Sequence, residues 1–166
     1  MTISLPPETS SPPRLQPSGW LRYFSFSVDH KVIGLQYLVC GFVFYLIGGA
    51  LAGAIRTELT SPVSDFMARD VYNQVLTLHG TVMIFLWIVP VVNGAFGNYL
   101  IPFYVGARDM AFPRLNAVAF WLIPPAGLML ITSYFLTGAA QSGWTAYPPL
   151  SITTPATGQI IWILSV

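Results

Sequence analysis

Residues 71–107 read VYNQVLTLHGTVMIFLWIVPVVNGAFGNYLIPFYVGA, an unbroken run between Asp70 and Arg108 without one charged side chain. About 20 predominantly apolar residues cross a bilayer as helix, so this stretch sets the class: an all-α, membrane-spanning chain. The run is longer than a perpendicular span requires, and Pro90 with Gly94 and Gly97 invites a kink, a tilt or an extension past the lipid. Working outward, a second apolar run extends from about Val32 to Ile55, between Lys31 and Arg56, and a third from about Ala117 to Thr137. The third contains Pro124 and Pro125, which membrane helices tolerate where neighbouring groups satisfy the freed carbonyls. A fourth run starts near Ala156 and reaches Val166, roughly ten residues and too short to span. The expected fold is a transmembrane helix bundle with helices at about 32–55, 71–105 and 117–137, and the start of a fourth at about 156. No charge follows Arg114, and GQIIWILSV (158–166) has no flanking anchor. The chain therefore reads as the amino-terminal part of a larger protein.

Composition agrees. The chain is 54% hydrophobic and 8% charged, with mean hydropathy +0.64, against roughly a quarter charged in a soluble domain. A net charge of +1 and the absence of any basic cluster exclude a nucleic-acid partner. The single Cys40 lies in an apolar run and reads as a small buried hydrophobe. Residues 1–26 are rich in Pro and Ser, carry Glu8 and lack an apolar core before a cleavage site, so they read as a flexible tail rather than a signal peptide. Arg14, Arg22, Lys31, Arg108 and Arg114 fall on one side of the spans, and Arg56 and Arg69 on the other. The positive-inside rule places the amino terminus and the loop around Arg108 in the cytoplasm. Trp20, Tyr23 and Phe24 then mark one interface, and Trp144 and Tyr147 the other.

His79 is the one histidine in the long uncharged run. An ionisable side chain in hydrocarbon points to a functional site with a partner, and neutral imidazole is a common ligand of metals, haem iron included. Eight residues from Val71 at ~1.5 Å each put it about 12 Å below the outer end of the helix. Gly80 follows directly and would let a bulky planar group approach. A structural reading fits equally: a lone membrane histidine can hydrogen-bond a carbonyl on a neighbouring helix.

Four further sets of residues carry two readings each. Arg56 can snorkel to the interface or turn its donor fork inward to a cofactor at the level of His79. Glu58 can be solvated or serve as an oxygen ligand to a hard cation. Asp109 at the membrane mouth, with Asn98 and Asn116, suits the entrance of a proton path lined with water, or ordinary capping and turn chemistry. Trp144 and Tyr147 can anchor an interface or line a cofactor edge. His30, beside Lys31, reads as a solvated residue at the cytoplasmic edge. Asn93 stands where an apolar residue is expected and is unexplained.

The blocks DHKVIGLQYL (29–38), IRTEL (55–59), VYNQVLTLHGTVMIFLW (71–87), FGNYLIPFYVGARDMAFPRLNA (96–117) and GWTAYPPLS (143–151) occur in this order and spacing. Together they resemble subunit I of the haem-copper terminal oxidases, in the haem A cytochrome c oxidase branch, from about Ser27 to Val166. The resemblance implies an incomplete part of a twelve-helix oxidase core. It implies that His79 is an axial ligand of the low-spin haem A, that Arg56 hydrogen-bonds its formyl group, and that Trp144 lies near its propionates. It further implies that Asp109 stands at the mouth of a proton pathway with Asn98, Asn116 and Tyr37 along its lower part. Glu58 matches a residue of a peripheral sodium or calcium site.

The second axial ligand, the ligand of the high-spin haem, the copper B histidines and the histidine-linked tyrosine are implied only in later helices. No catalytic residue is expected in this segment, and the 166 residues alone are expected to be inactive. The implied partners are the remainder of subunit I, oxidase subunits II and III, cytochrome c as electron donor and the lipid bilayer of a bacterial-type plasma membrane or other energy-transducing membrane. The implied function is electron transfer from cytochrome c through the low-spin haem to a haem-copper site that reduces oxygen to water, coupled to proton translocation. A quinol oxidase of the same family, or a noncatalytic membrane remnant, remains a second reading of these residues.

Overall fold

A computed structural model describes residues 19–63, 66–136 and 138–166; most of the amino-terminal tail, and Thr137 at the expected end of the third helix, lie outside them. A short 3₁₀ turn, Gly19–Phe24, precedes helix α1, His30–Glu58. The Asp29 carboxylate accepts from Lys31 N at 2.9 Å and caps α1, so the helix begins before its apolar run does. Helix α2 spans Arg69–Val105, 37 residues. It ends where Gly106 adopts φ 68°, with Gly106 N donating to Phe103 O and Ala107 N to Pro102 O, the paired bonds of a Schellman stop. Helix α3, Pro113–Leu136, starts on a proline whose missing N–H costs nothing at a first helical position. A four-residue turn α4, Leu150–Thr153, leads into helix α5, Ala156–Ser165. Among the described residues, α1, α2 and α3 are long and apolar enough to cross a membrane.

The kink that Pro90 invites takes a specific form. Two wide π-type stretches, Val82–Ile88 and Pro90–Phe96, interrupt α2. Proline lacks an N–H and its ring crowds the carbonyl four residues back, so the hydrogen-bond ladder opens outward around it. One long helix absorbs the defect without breaking.

α1 packs along the whole of α2, and α3 closes against both and against α5. Two apolar clusters hold the bundle. One joins Phe44, Leu78, Val82, Leu86, Leu130 and Ala139; the other joins Ile33, Tyr37, Ala95, Ala117 and Phe120, with Tyr37 and Phe120 edge to face at 5.1 Å. The opposite face of α1 remains open, with Phe42, Val43 and Leu46 more than a third exposed, as a surface against lipid or further protein requires. Small residues permit the close approach: a Cβ at Gly127 would run into the Phe44 ring. Gly127→Ala is therefore expected to cost ~1–3 kcal/mol through overpacking, read as a lower melting temperature of the detergent-solubilised protein. An unchanged melting temperature would show that Phe44 has room to yield.

Candidate functional site

His79 sits in the first half of α2, partly buried. Its Nδ1 lies 2.9 Å from Gly48 O on α1. A carbonyl only accepts, so Nδ1 carries a proton, and the neutral tautomer with that proton has its lone pair on Nε2. Gly48 makes this contact possible, because a Cβ there would overlap the Met83 thioether that follows His79 by one helical turn. The structural reading of His79, a hydrogen bond to a carbonyl on a neighbouring helix, is what this contact shows. The ring is tied to a neighbouring helix, and that tie orients the nitrogen a metal would use.

The side of α2 beyond His79 is polar and buried. Thr77 and Thr81 are wholly inaccessible. Each hydroxyl donates to the carbonyl four residues back, Thr77 to Asn73 O and Thr81 to Thr77 O, which leaves its oxygen free to accept. Thr77 then accepts from Gly143 N at 2.9 Å and Thr81 from Trp162 Nε1 at 2.8 Å. Gln74, one turn earlier, accepts from Ala139 N at 2.9 Å. This stripe fastens the segment 138–149 and α5 to α2. It also places Trp144: its indole is the planar group that packs on Gly80, whose Cβ would meet Trp144 Cδ1 at 3.0 Å. Phe85 meets the same ring edge to face at 6.3 Å. Trp144 remains 45% exposed and Tyr147 74%. Arg56 is exposed, two turns beyond Gly48 on α1. The Glu58 carboxylate accepts from Met67 N at 3.0 Å. Among the described residues no group of three or more His, Cys, Asp or Glu side chains could hold a metal ion.

At the other end of the bundle the solvated reading of His30 is corrected. His30 is buried, 6% exposed, and its Nδ1 lies 2.8 Å from Asn98 O. Pro102, four residues after Asn98, has no N–H to give that carbonyl, and the imidazole supplies the missing donor. Asn98 is itself buried. Its Nδ2 donates to Gly94 O at 2.6 Å, and its Oδ1 accepts from Asn116 Nδ2 on α3. Tyr37, Asn93, Asn98 and Asn116 line one groove of about 490 Å³, with Met110 and Ser165 of α5 also in its wall. The Asp109 carboxylate accepts from Met110 N at 2.7 Å, next to that lining.

The chain matches the family described as cytochrome c and quinol oxidase polypeptide I over residues 32–166. It is a member of that family. It is 63% identical to cytochrome c oxidase subunit 1 of Thermostichus vulcanus over 147 residues, covering 89% of this chain and 26% of that protein. To cytochrome c oxidase subunit 1 of a Synechocystis species it is 59% identical over 165 residues, covering 99% of this chain and 29% of the relative. To the subunit 1 of Corynebacterium glutamicum it is 43% identical over 166 residues, 94% and 28% respectively. The chain thus spans between a quarter and a third of the length of these relatives. Membership in this oxidase family, with three apolar helices, makes it an integral membrane protein.

Sequence reasoning passed over Gln74, Thr77 and Thr81, although their spacing of three and four marks one helix face. Thr77→Val keeps the shape but removes the acceptor of Gly143 N–H. We expect the segment around Gly143 to lose ~1–3 kcal/mol of local stability. Amide hydrogen exchange there should accelerate at least several-fold; unchanged protection would mean that another acceptor serves Gly143.

Proposed function

We propose that this chain is the amino-terminal segment of the terminal-oxidase subunit that passes electrons from cytochrome c through a low-spin haem to a haem-copper site reducing oxygen to water, coupled to proton translocation. The observation that carries this reading is the Nδ1 bond from His79 to Gly48 O, which leaves a partly buried, oriented Nε2 with its lone pair free. Such a backbone partner raises the basicity of a ligating imidazole and sets its tautomer. A haem A held there would supply one-electron relay chemistry. His79 would hold its iron, Trp144 would flank it, and the Arg56 guanidinium would supply a charged donor fork to its formyl edge. Glu58 keeps one carboxylate oxygen for a sodium or calcium ion. The second axial ligand, the high-spin haem and copper B belong to parts of the subunit beyond the portion spanned here.

At the opposite end, Asp109 stands beside a groove whose walls carry Tyr37, Asn98 and Asn116. A carboxylate at the mouth can collect a proton, and amides inside can hold the waters that pass it on. On this reading the bias of basic residues sets the amino-terminal tail and the Arg108 loop in the cytoplasm of an energy-transducing membrane. The rest of subunit I and subunits II and III complete the assembly. The relatives named above are cytochrome c oxidases, which favours cytochrome c over quinol as the donor.

Three variants of the full-length enzyme test the reading. His79→Ala should abolish the low-spin haem absorption in the reduced-minus-oxidised spectrum; retention of that band would remove His79 as the ligand. Arg56→Lys should shift the same band, because an ammonium does not reproduce the guanidinium fork, and an unmoved band rejects the contact. Asp109→Asn should slow proton uptake roughly tenfold or more with haem content intact. Loss of haem with normal uptake would assign Asp109 a structural role.

A further inference from the structure

Asn93 is an amide in the middle of a membrane helix, and among the described residues its side chain has no hydrogen-bond partner in the protein. Turned to hydrocarbon, such a group would leave two donors and an acceptor unpaired, at a cost of several kcal/mol. Asn93 is exposed, and on its exposed side it lines the open groove that holds Tyr37, Asn98 and Asn116. The reason is the wide turn Pro90–Phe96. In a regular α-helix, residues five apart point well away from each other, whereas turns closed by i→i+5 bonds bring them over one another. The widened stretch therefore rotates Asn93 onto the face of Asn98. Phe85 and Val89, at steps of four before Asn93, line the same groove, so one continuous face of α2 forms its wall.

We propose that Asn93 is a positioning residue for water in this groove and extends the polar path past Asn98, towards the half of α2 that carries His79. The inference rests on the proton-path reading of Asp109 and deepens it. Five residues correspond to about 7.5 Å along a helix at ~1.5 Å each, a gap that about two waters bridge at ~2.8 Å per link. The amide does not titrate. It accepts from one water and donates to the next, so that a proton entering at Asp109 is handed on when each water takes one proton and releases another. Beyond Asn93 the α2 wall is apolar, formed by Val89 and Phe85, and Asn93 is the last fixed polar group that this helix offers to the chain of water.

The test uses the full-length enzyme and compares three substitutions at position 93 with Asp109→Asn. Asn93→Leu, close in volume but without hydrogen-bonding groups, should slow proton uptake several-fold with an unchanged haem spectrum. Asn93→Ser, which keeps a donor and an acceptor, should restore most of the rate. Asn93→Asp should give the pH profile of uptake an additional titration, because a carboxylate on the path takes up the transferred proton. If Asn93→Leu does not accumulate, this last profile decides, and a profile identical to the parent overturns the proposal. Normal uptake in Asn93→Leu with slow uptake in Asp109→Asn removes Asn93 from the path while the groove reading stands. Normal uptake in both removes the path itself. Equal loss in the Leu and Ser variants, with a shifted haem spectrum, would make Asn93 a packing residue only.

Discussion

A backbone carbonyl inside a membrane must find a donor within the protein, and two such carbonyls hold the α1–α2 pair. At one end α2 donates to α1, from His79 Nδ1 to Gly48 O; at the other α1 donates to α2, from His30 Nδ1 to Asn98 O. These bonds are directional, where apolar packing between helices in lipid is not, so they fix register as well as proximity. The second arises because Pro102 cannot serve the Asn98 carbonyl itself. Register between α1 and α2 then sets which face of α2 meets the groove, the segment 138–149 and α3.

α2 accordingly presents three polar faces that serve different neighbours. His79 addresses α1. Gln74, Thr77 and Thr81 address the segment 138–149 and α5. Asn93 and Asn98 address the groove against Tyr37 and Asn116. The first two faces alternate within a regular helical stretch, where spacings of three, four and seven keep a stripe in line. The third needs the π-type turns, because its two amides are five residues apart. The widening at Pro90 is thus the feature that turns a spanning helix into a groove wall.

Much of this was legible in the residues. The three long helices follow from apolar length alone, and His79 stands out because an ionisable group in hydrocarbon needs a partner. Its geometry could not be read, since a tautomer depends on which neighbouring carbonyl lies within reach, and Gly48 is 31 residues away in the chain. His30 was misread for a related reason. Its neighbour Lys31 is charged and exposed, which suggests solvent, while the vacancy left by Pro102 lies on another helix. Gly80 correctly signalled close approach by a planar group, but the indole of Trp144 already takes that place. Asn93 has no reading in the sequence, because the groove it lines is built by Tyr37 of α1 and Asn116 of α3, far away in the chain.

The arrangement also separates two kinds of chemistry along one rod. Under the proposed function, the electron-carrying ligand lies in the first turns of α2, where the helix is regular and its neighbours are fastened by fully satisfied threonines. That is the order a metal ligand needs, because a small error in imidazole position weakens the bond it makes. The proposed proton path lies towards the other end, along the second π-type stretch and past it, where side chains line an open groove instead of a packed core. Water has to move there, and the Asn93 amide, which has no partner in the protein among the described residues, is available to it. A helix with the same residues and no widened turn would point Asn93 away from Asn98 and leave the groove with one amide on this wall. Under the proposed function, the proline that disturbs α2 is therefore what allows one helix to be rigid at one end and hydrated at the other.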